Sequence, residues 1–572
     1  MPSMKLAPSP QRSALSKCLP WLVAAAWVAW QMGTRSMGLT WGWDESMHAE
    51  LPAARIALYL RMGDLGGAFD AIHSCTQYPF VWPTLLGLAQ ALTGPSEAVA
   101  RSMGVLLWGL TMVGAYELTR SAGARLEMKE RELGCASWGA LTLCGLSPLA
   151  AAYAGTLFHA VPSACAVVWA LVAWLRAGTG NPRADLLAGL AFTLVFFTKF
   201  NYGLLLGAAL AIAFLLEWAW AARAGTARQM GARAIRLATP SLVVCAWWFF
   251  LPLPGGAELA AVHRDAFLGF LSGNLETEYL SPARRVVEWS AGLHLQPRLL
   301  LLVLFGFICS LRTISKPGAH LLGAAAIIPA AVLWSHPFHL DRFLVPFAPA
   351  LWCFAALGFT RWAASSAQAQ RAAFVLLFLC AVPLGGADSR ALAAGVGLVP
   401  ESEAQRDYVH GELDRLGRVG AGRRVPTAGL EAETVSGILD ACAAVVQPYE
   451  LVGWLGASSE LSPAALHLGL LERGGELEAF LRDAHRDVDI TYFGVDPGWS
   501  DERTLEWASS YDVIFMTDPP DLGGRRVREF MRSYQERLIT QGWEPELLGS
   551  FEWPTATGEL RSARLFASRS PQ

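Results

Sequence analysis

Over the first two thirds of the chain, apolar residues gather in long blocks separated by short polar breaks. A bilayer core takes about 20 mostly apolar residues per helix. Blocks of that kind occupy roughly 19–40, 79–94, 99–119, 134–153, 157–176, 186–200, 202–222, 233–254, 297–311, 319–334, 343–360 and 372–388. The first is not a cleavable signal, because many further spans follow it. The pattern changes after residue 397. Residues 401–417 and 524–541 carry the periodicity of amphipathic helices. The runs 488–495, 511–518 and 563–568 read as buried strands, and strands alternating with helices predict a small α/β domain. The expected fold is therefore an α-helical polytopic membrane protein with a C-terminal soluble α/β domain. A short N-terminus (1–18) precedes a transmembrane domain (19–390), and the α/β domain fills 397–572.

Composition sharpens this picture. The 572 residues are 53% hydrophobic and only 16% charged, against about 25% charged in ordinary soluble domains. The 23 tryptophans suit aromatic belts at two membrane interfaces. A net charge of -3 offers nucleic acid no attraction. The ten cysteines contain no CxxC pair and read mainly as small apolar fillers; Cys75 and Cys442, in polar regions, are the one pair open to a bridge.

Basic residues in short loops set the orientation. Lys5, Arg12 and Lys17 hold the N-terminus in the cytoplasm. Arg223, Arg228, Arg233 and Arg236 mark a further cytoplasmic loop, as do Arg312 with Lys316 and Arg361 with Arg371. The loops 41–78 and 255–296 then face outward, together with everything after about residue 390. Opposite termini require an odd number of crossings, whereas twelve blocks are visible. Either 79–94 or the tight pair 186–222 breaks the count, which is about 11 transmembrane helices, or 13.

Ionisable residues beside or within a membrane are costly and are functional candidates by default. The first outer loop opens with Asp44-Glu45 and reaches His48 within one helical turn. A carboxylate there can act as a general base or metal ligand, and an Asp at that position is equally a helix N-cap. Tyr78-Pro79 and Pro83 follow, then Gly94, Glu97 and Arg101, where Arg101 fits a phosphate or an interfacial anchor. The chain has five lysines, and Lys199 alone interrupts a hydrophobic hairpin. It reads either as a snorkelling side chain or as a cation for an anionic headgroup. The late outer loop crowds His336, His339, Asp341 and Arg342 together. Arg342 at a helix start suits phosphate, and an Asp–Arg interfacial pair is the alternative. Loop 255–296 is longer than a connection needs, which fits a covering role. Asp518-Pro519-Pro520 ends a strand and serves as a turn or as the lip of a ligand site.

Taken in order, Asp44-Glu45, Tyr78-Pro79…Pro83…Arg101, Thr198-Lys199 and Asp341-Arg342-Phe343-Leu344-Val345-Pro346 resemble the GT-C superfamily of integral-membrane glycosyltransferases. The likeness is to the bacterial branch related to protein O-mannosyltransferases and the lipid A aminoarabinose transferase, and it covers about residues 20–390. Two departures stand out. His159 occupies a second outer loop where members often carry an acid, and Phe343 follows Arg342 where tyrosine is usual.

The resemblance implies an inverting transferase that takes a sugar from a polyprenyl-phosphate-linked donor. The acceptor would be a hydroxyl of a glycan, lipid or protein at the outer face of a bacterial inner membrane, with the C-terminal domain periplasmic. Asp44 would be the general base. Glu45 or His48 would hold it or bind a divalent metal. Tyr78, Arg101, Lys199 and Arg342 would meet the substrates. A transporter, flippase or polymerase of lipid-linked sugars is the competing reading, since charged residues among helices serve there too.

Overall fold

The computed structural model describes residues 14–34, 49–75, 78–94, 96–147, 153–177, 181–223, 225–250, 261, 264, 297–314, 316, 318–335, 343–381, 437–438, 440, 452–455, 513–518, 536, 540, 546–554 and 560–567. Their helices are α1 (Ala14–Thr34), α2 (Leu51–Arg61), α3 (Leu65–His73), α4 (Val81–Thr93), α5 (Glu97–Arg125), α6 (Glu130–Leu146), α7 (Ala160–Ala177), α8 (Pro182–Phe196), α9 (Phe200–Arg223), α10 (Ala227–Phe250), α11 (Pro297–Leu311), α12 (Ala319–Ser335), α13 (Ala348–Ala363) and α14 (Ala367–Ala381). The strands are β1 (Val452–Leu455), β2 (Val513–Asp518), β3 (Glu546–Pro554) and β4 (Leu560–Ala567). The chain divides into two compact units. One comprises residues 1–35, 69–84 and 101–425, and the other 36–68, 85–100 and 426–572.

The first unit is a helical bundle. Ala98–Arg125, Ala160–Ala177 and Phe200–Arg223 are long and apolar enough to cross a membrane. α13 lies at the centre, packed against α6, α7, α11, α12 and α14. Its closest approach is to α11, where a Cβ on Gly358 would overlap the Gly306 carbonyl. Small residues permit this, and close backbone contact is how helices associate where lipid tails are as apolar as leucine. The core runs from Trp27 through Trp108, Val168 and Leu206 to Trp352 and Phe354. Trp27 and Trp108 donate their indole N–H groups to the carbonyls of Gly145 and Cys144 at 2.8 and 3.1 Å. Both carbonyls lie in the last turn of α6, where the helix leaves its own acceptors unused.

Residues 78–84 and residues 101–104 meet the same segment of this unit. Trp82 Nε1 donates to Leu157 O at 2.9 Å, and Arg101 Nη1 donates to Gly155 O at 3.1 Å. Both stretches thus lie against one end of the helical bundle. At the other end, the expected basic loop around Arg223–Arg236 is largely helix. Only residues 224–226 separate α9 from α10, so Arg228, Arg233 and Arg236 stand on the first turns of α10. Arg233 is 8% exposed. Hydropathy placed the boundary late because these arginines lower the local average without ending the helix.

In the second unit, α2 packs against the part of α4 beyond residue 85. Gly87 allows the approach, since a Cβ there would lie 2.9 Å from Ala53 O and 2.8 Å from the Ile56 side chain. One turn along, Gln90 Nε2 donates to the buried Glu50 carboxylate at 2.5 Å. The strands form one mixed sheet of order β1-β2-β4-β3. β2 runs parallel to β1 and antiparallel to β4, and β3 is antiparallel to β4 with a bulge between Leu547 and Gly549. The consecutive residues Ile514, Phe515 and Met516 are all buried, so β2 is covered on both faces. β2 and β4 coincide with two of the three expected strands. The run 488–495 and the helices at 401–417 and 524–541 lie outside the described residues, apart from single helical positions at 536 and 540. Cys75 is buried, with its thiol on Ala71 O at 3.7 Å.

Candidate functional site

Of the residues singled out in the sequence, Asp44, Glu45, His48 and Arg342 lie outside the described residues. Tyr78, Arg101 and Lys199 lie within them. Among the described residues no three His, Cys, Asp or Glu side chains gather as a metal site.

Lys199 sits in the turn between α8 and α9. The turn is tight: the N–H groups of Thr198 and Lys199 both reach Val195 O at 3.2 Å, and Lys199 O accepts Gly203 N–H at 3.1 Å to begin α9. A Cβ on Gly203 would overlap the backbone of Phe196, so the hairpin closes only around glycine at that position. The segment leading into α4 runs alongside and is tied to it by Val81 N–H donating to Phe197 O at 3.1 Å.

Two aromatic pairings flank that tie. On one side Lys199 Nζ stands 4.3 Å from the centroid of the Tyr78 ring, with Tyr202 and Phe343 at 5.3 and 5.7 Å. On the other side the rings of Phe80 and Phe197 meet at 5.4 Å. Phe80 also lies 4.7 Å from Trp248, near the end of α10. His73, the last residue of α3, stacks on Trp248 at 5.2 Å, and its Nδ1–H donates to Phe69 O at 2.9 Å. Arg264 Nη1 caps the same end of α10 at Phe249 O, 2.9 Å away.

Ring faces attract an ammonium through their quadrupole, for about 0.5–1 kcal/mol when exposed and about 2 when desolvated. The arrangement holds a half-buried ammonium at one end of a helical hairpin. An ammonium can donate to a phosphate or another anionic headgroup.

Arg101 is buried and binds backbone. It is 2% exposed and donates to Gly155 O. With Trp82 on Leu157 O, it grips the segment 153–159 that leads into α7. Gly104 lets that segment lie directly on α5, since a Cβ there would be 2.7 Å from Ala154 O. The segment delivers the 3%-exposed His159, whose ring lies 4.8 Å from that of Tyr78. The sequence marked Tyr78 and Lys199 separately but not their contact, nor the parts taken by Trp82, Tyr202 and His159. Trp82 and Tyr202 have no local pattern that sets them apart from core aromatics, and His159 stood out only as a departure from the superfamily's usual acid.

No protein-family profile and no curated protein matches the chain. Solved structures do. ArnT from Cupriavidus metallidurans bound to undecaprenyl phosphate superposes with a TM-score of 0.55 at 16% identity, covering 98% of this chain and 100% of that one. The Archaeoglobus fulgidus oligosaccharyltransferase AglB, in complex with an inhibitory peptide and a dolichol-phosphate, gives 0.52 at 11% identity, over 98% of this chain and 75% of AglB. The mycobacterial arabinofuranosyltransferase AftD gives 0.52 at 13% identity, and this chain spans 40% of its length. The chain therefore shares its fold with these solved proteins. The expectation drawn from the ordered motifs is met at the level of fold.

Proposed function

We propose that the protein is a glycosyltransferase that moves a sugar from a polyprenyl-phosphate-linked donor to an acceptor hydroxyl at the outer face of a bacterial inner membrane. The observation that carries this reading is the aromatic seat of Lys199 in a GT-C fold whose solved examples hold undecaprenyl phosphate and dolichol-phosphate. α1 and the ten helices α5 to α14 cross the membrane, eleven in all. α4 does not cross and lies at the outer side. The Lys199 turn then faces outward, and the Arg233 end of α10 faces the cytoplasm, as the basic residues ask.

In this reading Asp44 takes the proton of the acceptor hydroxyl. The oxygen attacks the anomeric carbon from the face opposite the phosphate, the carbon–oxygen bond to phosphate breaks, and its electron pair leaves on the lipid phosphate. The configuration inverts. Glu45 and His48 orient Asp44. Lys199, seated on Tyr78, stabilises the charge that develops on the leaving phosphate, with Arg342 as the second cation. Arg101 serves by holding the segment 153–159. The residues after 397 help to select the acceptor.

The test uses purified protein in lipid with a panel of undecaprenyl-phosphate sugars, measuring released undecaprenyl phosphate. Wild type is expected to release it with one donor, and Asp44→Asn to lose at least about a hundredfold of that rate, the scale of general-base catalysis. Equal release by both would make Asp44 a helix cap. Absence of release with every donor and an added acceptor extract would remove the transferase reading.

A further inference from the structure

Tyr78 belongs to a bend between helices. The His159 ring lies against it, and the backbone of His159 is held from several directions. Arg101 and Trp82 bind the carbonyls of Gly155 and Leu157 just before it. Thr156 closes a turn onto Tyr153 O through both its N–H, at 2.8 Å, and its hydroxyl, at 2.7 Å. His159 O accepts Ser163 N–H at 3.1 Å in the first turn of α7. Gly104 lets the segment lie directly on α5. The imidazole thus rises from a fixed backbone and is tilted 49° to the Tyr78 ring. The Lys199 ammonium stands over that same ring.

We propose that His159 is a positioning residue for the lipid-phosphate site: it holds Tyr78, and Tyr78 holds Lys199. The proposal rests on the reading of Lys199 as the phosphate-binding cation. It also gives a physical sense to the histidine at a position where similar proteins often carry an acid. A carboxylate would offer Tyr78 a charge, whereas an imidazole offers it a face. The property required of residue 159 is therefore aromatic planarity.

The experiment measures the Kd of undecaprenyl phosphate for the full-length protein in lipid nanodiscs, by calorimetry, with thermal unfolding of each variant run beside it. His159→Ala is expected to weaken binding about two- to fivefold, the scale of one lost cation–π contact. His159→Phe should restore it. In a Lys199→Ala background, His159→Ala should add no further loss, because residues acting through one contact are not additive. A merely structural role would add its loss in both backgrounds. Wild-type binding by His159→Ala, failure of the Phe variant to rescue, or additivity with Lys199→Ala would each overturn the proposal while leaving Lys199 in place. Wild-type binding by Lys199→Ala itself would overturn the phosphate reading, and this proposal with it. If His159→Ala does not fold, Tyr78→Leu attacks the same stack from its other member. That variant should show the same loss, again absent when Lys199 is already gone.

Discussion

Lys199 and Arg233 are both basic side chains drawn into the helical bundle, at opposite ends of α9. Arg233 is neutralised. Its guanidinium lies 2.5 Å from Glu217 and 3.4 Å from Asp185, and Asp185, 1% exposed, is shared with Arg236 at 2.7 Å. His320 approaches the other oxygen of Glu217 at 3.7 Å. Trp174 and Phe214 cover the guanidinium at 5.3 and 5.9 Å. Lys199 is likewise faced by rings, those of Tyr78, Tyr202 and Phe343. One end of the bundle thus uses its charges to join α8, α9, α10 and α12. The other places an ammonium over the Tyr78 ring in the turn between α8 and α9.

The comparison breaks most sharply at Arg233. Arg233→Ala strands the Glu217 carboxylate and weakens the hold on Asp185, and removing one member of a buried pair costs about 3–5 kcal/mol. Thermal unfolding in detergent should fall accordingly, while the folded fraction keeps its affinity for undecaprenyl phosphate. Replacing Glu217 with Leu and Arg233 with Met together should recover part of the loss, since a buried pair exchanged for apolar residues is often neutral. Recovery of nothing would mean that the network does more than offset its own burial.

Lys199→Ala is the mirror experiment. A hydrogen bond to a charged group is worth about 1.5–3 kcal/mol, so affinity for the lipid phosphate should fall by roughly 10- to 150-fold. Stability should hardly move. A large drop in melting temperature with unchanged affinity would place Lys199 in the same class as Arg233.

Two smaller changes sharpen the boundary. Trp82→Phe removes the donor to Leu157 O and should cost about 0.5–1.5 kcal/mol of stability. Because it loosens the segment carrying His159, it should also weaken lipid-phosphate binding slightly. Glu117→Gln tests the periphery. The Glu117–Arg176 pair spans 2.8 Å, but its side chains are 30% and 56% exposed. Exposed pairs contribute about 0–1 kcal/mol, less as salt rises, so the melting temperature should stay nearly unchanged at high ionic strength.

The bundle was legible in the sequence because the property that builds it is local. A run of Ala, Leu and Val without charge is a helix candidate wherever it occurs, and α11 begins and ends where hydropathy put it, at 297 and 311. Lys199 stood out for the same reason, as a lone cation in an apolar hairpin. β2 and β4 were visible as short apolar runs bounded by turns. β3 was not, because its Glu546 and exposed Leu547 lack a clean alternation. The order of the motifs carried the superfamily resemblance.

Only the tertiary structure decided what faced what. Tyr78 meets Lys199 across 121 positions and His159 across 81, and no periodicity of 2 or 3.6 residues reaches so far. The arginines read as a cytoplasmic loop proved to include Arg233, whose partners Asp185 and Glu217 come from two other helices. Arg101, open in the sequence to phosphate or membrane, is turned onto Gly155 O by packing. Local pattern fixes where helices form. The fate of each charge depends on which helices lie beside it, and that is settled by close packing between residues far apart in the chain.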